Sequence, residues 1–192
     1  MTERLAAQLT KYFRLSVKLS KEEEEIIQYG IEISISTLGV LFSILLISVI
    51  WFQKLDGIVF TFFFTSIRLY SGGFHANTYI RCYIFSLIAF ICTACCTKFI
   101  SIGSLWVQYI VIVLFYVWIY SKAPQINKNH PISEAVAEKN RKKLKKVMVM
   151  NQVLFWIISF VSPHYRCIVF YTTIIMGIMF GIGEINLKVE KQ

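Results

Sequence analysis

One polar segment of the 192-residue chain contains residue types that can carry out covalent chemistry. His75 and Cys82 supply a base and a thiol seven residues apart. A thiol next to a histidine can attack a carbonyl group as the thiolate, because the histidine removes its proton. On spacing alone the alternative is that Cys82 is a small packing residue of a helix, as many membrane cysteines are.

His75 and Cys82 can act together only if the backbone between them is not one continuous helix. Seven helical residues rise about 10.5 Å, whereas proton transfer needs about 3 Å between heavy atoms. Gly72 and Gly73, just before the histidine, predict a helix break. We therefore predict that Cys82 lies in the first turns of a helix and that His75 faces it from a loop or a helix end.

Four further polar residues of this segment are candidates for positioning roles. Arg68 could hold the segment or a substrate carboxylate, or could simply mark the edge of the membrane. Arg81 and the dipole of a helix N-terminus would both favour the thiolate of the cysteine. Asn77, Ser71 or a backbone carbonyl could orient the histidine.

The composition excludes an ordinary water-soluble protein. Hydrophobic residues make up 56% of the chain and charged residues 16%, with a mean hydropathy of +0.61. A soluble domain is about 45–50% apolar and about 25% charged. Backbone amides in lipid must be bonded internally, so an all-α polytopic membrane protein with about six transmembrane or re-entrant helices is expected. The stretches without Asp, Glu, Lys or Arg are 33–52, 57–67, 82–97, 99–121, 147–165 and 167–183.

The run 57–67 is the shortest of these stretches and leads directly into the segment that contains His75. Its 11 residues are too few to cross a bilayer core, which needs about 20. Two alternatives remain open for residues 57–70. They form a spanning helix extended by flanking residues, or they are re-entrant.

Basic residues are distributed unequally between the two predicted sides of the membrane. With six crossings and a cytoplasmic N-terminus, the opposite side receives only Lys54, Lys98 and Arg166. The other 17 of the 20 Lys and Arg residues lie in 1–27, 68–81, 122–146 and 184–192. This split follows the positive-inside rule. We therefore expect a multi-pass protein of the cell membrane with both termini and the His75–Cys82 segment on the cytoplasmic side, and the +9 net charge mainly reports this orientation.

A single membrane domain over residues 1–192 is expected. Its N-terminal part has the apolar spacing of an amphipathic helix, which either lies on the cytoplasmic membrane surface or packs as a short soluble helix on its own transmembrane bundle. The expected parts are the amphipathic segment 1–27, the helical bundle 28–183 with the polar segment 68–82 and a basic cytoplasmic loop 122–146, and the cytoplasmic tail 184–192.

The basic run Lys139–Lys146 has two possible roles. It can set topology only, or it can also hold anionic lipid headgroups or an acidic peptide. Nucleic acid is not an expected partner, because the run is short and lacks interleaved aromatic residues.

Other residues with chemical potential are expected to be structural. Cys92 and Cys95 have the spacing of a redox or metal motif, but they lie in an apolar run and are expected to pack against other helices. His164 is expected to be a solvated loop residue at the outer interface. No metal-binding or nucleotide-binding motif is found, so neither a metal nor another cofactor is expected.

The polar segment, the chain length and the topology together resemble the accessory gene regulator B (AgrB) family, the membrane cysteine endopeptidases of Gram-positive quorum sensing. The resemblance covers essentially the whole chain. It includes the N-terminal amphipathic region and the basic loop. The residues that match the family's pattern are Arg68, Gly72-Gly73, His75-Ala76, Cys82 and Ala123-Pro124.

This resemblance implies that Cys82 is the nucleophile and His75 its base in removing the C-terminal part of an AgrD-like precursor peptide. An acyl-enzyme thioester would form, and an internal Cys or Ser of the peptide would attack it to give a thiolactone or lactone ring. The resemblance also implies a second copy of the chain as a partner, in a homodimer. The alternatives are a non-enzymatic peptide exporter or membrane scaffold and, disfavoured by the missing ligand set, a membrane metalloprotease.

Overall fold

The computed structural model of the chain describes residues 21–72, 79–100, 103–125 and 133–189. Within these ranges the chain is helical and contains no strand, which confirms the predicted all-α fold with about six helices. The helices are α1 (Lys21–Trp51), α2 (Asp56–Ser71), α3 (Tyr79–Phe99), α4 (Leu105–Lys122), α5 (Glu134–Val161) and α6 (Pro163–Val189).

Five of the described helices, all except α2, are long and apolar enough to cross a membrane. Large apolar side chains on their outer surfaces are exposed, such as Phe42 at 68% and Phe160 at 84%. In a helix that crosses a bilayer, such side chains face lipid rather than water. The chain is therefore a polytopic helical membrane protein, as its composition predicts.

Contacts at its two ends show that α2 runs the full length of the helix bundle. At its start, Asp56 Oδ1 lies 2.8 Å from Nε2 of His164, at the beginning of α6. At its other end, the Ser71 carbonyl accepts a hydrogen bond of 2.9 Å from the backbone N–H of Gln125, just after α4. Of the two alternatives for residues 57–70, the structure therefore favours the spanning helix. We call the two ends of the bundle the Asp56 end and the Gly72 end.

Helix α6 lies at the centre, packed against α2, α3, α4 and α5. A layer of polar side chains lies inside this apolar core and joins α2 to α5. Asn151 on α5 donates to Ser66 on α2 at 3.0 Å. Hydrogen bonds of this kind hold helices together where lipid provides no hydrophobic driving force between them.

The basic run Lys139–Lys146 is helical and belongs to α5, which differs from the loop expected over 122–146. Residues 134–146 contain neither Gly nor Pro and are rich in Ala, Glu, Lys and Arg, which are strong helix formers. Lys142 Nζ also lies 2.7 Å from Oε1 of Glu138, one helical turn earlier.

Residues 1–20 lie outside the described residues, and with them most of the predicted amphipathic segment 1–27. Residues 21–27 are continuous with α1, so the first helix begins earlier than the boundary expected at residue 28. At the other terminus, α6 extends to Val189 and includes most of the expected tail 184–192.

Candidate active site

Helix α2 ends at Gly72, the first residue of the Gly72-Gly73 pair that predicts a helix break. Gly72 has φ +69° and ψ −147°, a backbone conformation that glycine adopts without steric cost. Its N–H donates to the Arg68 carbonyl at 3.2 Å and closes the last turn. One continuous helix through residue 72 is therefore excluded, whereas the backbone between His75 and Cys82, which decides whether the two side chains can meet, lies partly outside the described residues.

The end of α2 is held by the segment that follows α4. Gln125 donates its backbone N–H to Ser71, and a Cβ atom added to Gly72 would lie only 2.5 Å from the Gln125 carbonyl oxygen. The Gln125 side chain donates from Nε2 to the Phe180 carbonyl on α6 at 3.1 Å. The Ala123-Pro124 pair noted in the sequence thus leads into a backbone contact with the polar segment.

Arg68 lies one turn before the end of α2. Its side chain is partly buried, with Cζ 5.3 Å from the centre of the Phe64 ring. Its guanidinium interacts electrostatically with the thiol of Cys82 on α3.

Cys82 lies near the N-terminal end of α3, which is described from Tyr79 onwards. The residues just before Tyr79 lie outside the described residues, so the place of Cys82 in the first turns of its helix stays a prediction. Its side chain is partly buried and its thiol is free. The next residue, Tyr83, forms a hydrogen bond of 2.7 Å with Ser43 on α1, which fixes α3 against α1 at this level. Arg81 carries an exposed side chain.

Residues 73–78 lie outside the described residues, so the structure gives no position for Gly73, His75 or Asn77. Ser71 is fully buried, and its hydroxyl donates to the Gly72 carbonyl at 3.1 Å. Of the residues selected from the sequence, the described part places Arg68 and Ser71 in the last turn of α2 and Cys82 in α3.

Gln125 is the residue at this end of the bundle that sequence reasoning missed. Its neighbours Ala123 and Pro124 were noted only as part of a family pattern. The signal that could have drawn attention to Gln125 is a polar residue directly after an apolar helix and a proline. Nothing local predicts a contact with Gly72, which lies 53 residues earlier.

His164 is not a solvated loop residue, and that prediction was wrong. Only Ser162 separates α5 from α6, so His164 lies in the first turn of α6. Its imidazole contacts Asp56, whose side chain is only 1% exposed, and the other carboxylate oxygen of Asp56 accepts from Gln53 N–H at 3.1 Å. This cluster connects the starts of α2 and α6, far from the polar segment.

A second polar cluster lies at the Asp56 end. Arg166 donates from Nε to Oε1 of Gln108 at 3.0 Å, and Gln108 is fully buried. The Gln108 side chain also approaches the sulfur of Cys167 at 3.5 Å. These contacts join α4 to α6 and provide the polar neighbours that a buried amide requires.

The remaining cysteines do not form a recognisable site. Cys92 is exposed on the surface of α3, whereas Cys95 and Cys96 are partly buried. All three thiols are free. Among the residues that the structure describes, no three His, Cys, Asp or Glu side chains are placed to share a metal ion.

Comparison with known proteins identifies relatives of this chain. The family model described as accessory gene regulator B matches residues 2–185. An AgrB-like protein of Clostridium perfringens strain 13 is 27% identical over 95% of this chain and 88% of its own length. An AgrB-like protein of C. perfringens strain SM101 is 29% identical over 84% of this chain and 77% of its own length. No solved structure matches the chain significantly. From the family match, the chain belongs to the accessory gene regulator B family of quorum-sensing membrane proteins.

Proposed function

We propose that this chain is a membrane-embedded cysteine endopeptidase that removes the C-terminal part of an AgrD-like precursor peptide. The observation that carries the proposal is the free, partly buried thiol of Cys82 in α3, the helix that follows the break at Gly72. Arg68, one turn before this break, interacts electrostatically with Cys82. Membership of the AgrB family supports a role in quorum sensing in association with such a peptide.

The reaction begins when the Cys82 thiolate attacks the scissile carbonyl of the precursor. The C–N bond breaks, and the departing amine of the C-terminal fragment takes the proton that His75 removed from the thiol. The N-terminal fragment stays on Cys82 as a thioester. An internal Cys or Ser of the peptide then attacks this thioester, which releases Cys82 and closes a thiolactone or lactone ring. Exclusion of water by the surrounding helices favours ring closure over hydrolysis.

His75 is the base in this proposal, because it is the histidine of the segment between Gly72 and Cys82. The helix break at Gly72 lies just before His75, and the pairing also requires a non-helical backbone between His75 and Cys82, since the two side chains cannot meet on one continuous helix. Asn77 and Ser71 are the candidates for orienting the imidazole. Backbone N–H groups near the start of α3 are the candidates for stabilising the oxyanion.

The orientation and the further partners belong to the same proposal. The Gly72 end faces the cytoplasm, where the precursor is made, and both termini lie on that side, in agreement with the positive-inside rule. Two basic side chains of α5 are held against this end of the bundle. Arg141 lies 5.1 Å from the centre of the Tyr120 ring, and Lys143 lies 5.6 Å from that of Tyr70. The basic run Lys139–Lys146 binds anionic lipids, and the chain acts as a homodimer.

The test is to express the chain in membranes together with an AgrD-like precursor and to follow cleavage by mass spectrometry. Cys82→Ala and His75→Ala should each abolish cleavage while the protein inserts normally. Cys92→Ala is the matched control, since it removes an exposed thiol from the same helix and should leave cleavage unchanged. Retained cleavage in Cys82→Ala would contradict the mechanism and favour a peptide exporter or scaffold.

A further inference from the structure

The short segment Ala123–Gln125 after α4 supports the end of α2 directly. The N–H of Gln125 donates to the Ser71 carbonyl at 2.9 Å, so it occupies an acceptor that the helix itself leaves without a partner. The Gln125 carbonyl oxygen lies against the Cα of Gly72, where even one added Cβ atom would approach to 2.5 Å. The position of Gly72 is therefore set by the backbone of Gln125.

The Gln125 side chain fixes this backbone to α6. Its Nε2 donates to the Phe180 carbonyl at 3.1 Å, and Phe180 is itself buried, with the Trp118 ring 5.6 Å away in an edge contact. Gln125 thus connects three elements: the end of α2, the end of α4 and the middle of α6. A displacement of the Gln125 side chain would move the Gln125 backbone, and this backbone contacts Gly72 directly.

The other polar atom of the side chain has no such contact. Oε1 of Gln125 is buried and has no hydrogen-bond partner among the described residues. An unsatisfied buried polar atom costs about 1–3 kcal/mol, which offsets the stability gained from the bond at Nε2. The amide therefore contributes more to the geometry of the Gly72 end than to the stability of the bundle.

We propose that Gln125 is a positioning residue of the endopeptidase, an inference that rests on the function proposed above. It fixes Gly72, and the chain continuing from Gly72 reaches His75 after three residues. The same helix end carries Arg68, which interacts with Cys82. Gln125 acts through these residues rather than on the peptide. A displacement of about 1 Å among reacting groups can lower a rate by about 100-fold.

Two substitutions remove the hydrogen bond from Gln125 to the Phe180 carbonyl but keep a side chain of similar size at this position. Gln125→Met has a similar length without any hydrogen-bond donor, and Gln125→Glu keeps the shape but replaces the donating amide with an acceptor. Lys122→Gln is the matched control. It removes the contact of 3.7 Å between Lys122 and Glu184, which also joins α4 to α6 at this end, and it leaves the backbone against Gly72 untouched.

Each variant is measured in two ways. Precursor cleavage is followed in membranes, and the rate of Cys82 alkylation by iodoacetamide is followed against pH by mass spectrometry of the peptide that contains Cys82. The alkylation profile of His75→Ala serves as the reference for a thiol without its base. A purely structural role of Gln125 would lower the amount of protein without moving this profile.

Both Gln125 variants are expected to cleave about 10- to 100-fold more slowly and to shift the Cys82 alkylation profile towards that of His75→Ala. Lys122→Gln should change neither. The positioning role is overturned if the Gln125 variants keep the wild-type alkylation profile while His75→Ala shifts it. The proposed endopeptidase function is not contradicted by that result.

The remaining outcomes are also decisive. If one Gln125 variant fails to insert, the other decides by itself, and failure of both to insert overturns the inference in favour of a structural role. If His75→Ala changes neither cleavage nor alkylation, the proposed endopeptidase mechanism is contradicted. The positioning role of Gln125, which rests on that mechanism, is then contradicted as well.

Discussion

Asp56 Oδ1 lies 2.8 Å from Nε2 of His164, although the two residues are 108 positions apart in the chain. The carboxylate is almost completely buried, and its second oxygen accepts the Gln53 N–H. The contact fixes the start of α2 beside the start of α6. Because Gln125 fixes the other end of α2, the helix that leads into the polar segment is held at both ends.

The first prediction concerns this buried pair. His164→Ala should lower the free energy of unfolding by about 1–3 kcal/mol, because it leaves one oxygen of the buried Asp56 carboxylate without its partner. Thermal unfolding of the purified protein in detergent measures the effect. Lys54→Ala, an exposed residue at the same end, is the control and should unfold like the wild type. Equal stability of the His164 variant would show that the Asp56 carboxylate has another partner.

The second prediction concerns the helix break at Gly72. Gly72→Ala should destabilise the Gly72 end by about 1–3 kcal/mol through backbone strain, and the added Cβ would also displace Gln125. Precursor cleavage should fall sharply for this variant in a membrane assay. Gly39→Ala is the control, because Gly39 lies within α1 with no atom within 4 Å of an added Cβ. Cleavage at the wild-type rate by Gly72→Ala would show that the position of the α2 end does not matter.

Part of this arrangement could be predicted from the sequence because it depends on local properties. The Gly72-Gly73 pair marks a helix break whatever its surroundings, and the apolar run after Cys82 requires a helix there. Their combination predicts a helix that contains Cys82, and α3 contains it. The spanning character of α2 could not be decided, since its 16 residues are ambiguous until the contacts at both ends are known.

The rest depends on contacts between distant parts of the chain. His164 looks like a loop residue because it follows Ser162-Pro163, and only the position of Asp56 on another helix reveals its partner. Gln125 likewise carries no local signal of its contact with Gly72. The basic run of α5 was taken for a loop because its charge obscured the high helix propensity of its residues.

The third prediction tests the electrostatic contact at the proposed nucleophile. Arg68→Gln should slow the alkylation of Cys82 at neutral pH, because the thiolate loses a neighbouring positive charge. Arg68→Lys should retain part of the rate, since the charge remains on a side chain of different shape. Arg81→Gln is the comparison, as it removes an exposed cation next to the same cysteine. A larger effect of Arg81→Gln than of Arg68→Gln would assign the stabilising charge to Arg81 instead.

The fourth prediction concerns the polar layer inside the bundle. Asn151 donates to Ser66 at 3.0 Å, so Asn151→Leu and Ser66→Ala each remove one partner of the same bond. A double-mutant cycle on the free energy of unfolding in detergent should give a coupling of about 0.6 kcal/mol, with about 1.7 kcal/mol as the upper limit for such bonds between membrane helices. The cycle is needed because Asn151→Leu also removes a buried carbonyl oxygen that has no hydrogen-bond partner among the described residues, so the single substitution does not isolate the bond to Ser66.

Thr97→Ala provides the control for that cycle. The Thr97 hydroxyl bonds only within its own helix, to the Thr93 carbonyl at 2.9 Å. Combined with Asn151→Leu, its effect should therefore add without coupling, because the two residues share no partner. Additive behaviour of Asn151→Leu with Ser66→Ala as well would contradict the bond between α2 and α5. The position of α2 would then depend on its two ends and on the packing of its buried apolar side chains, such as Phe60 and Phe64.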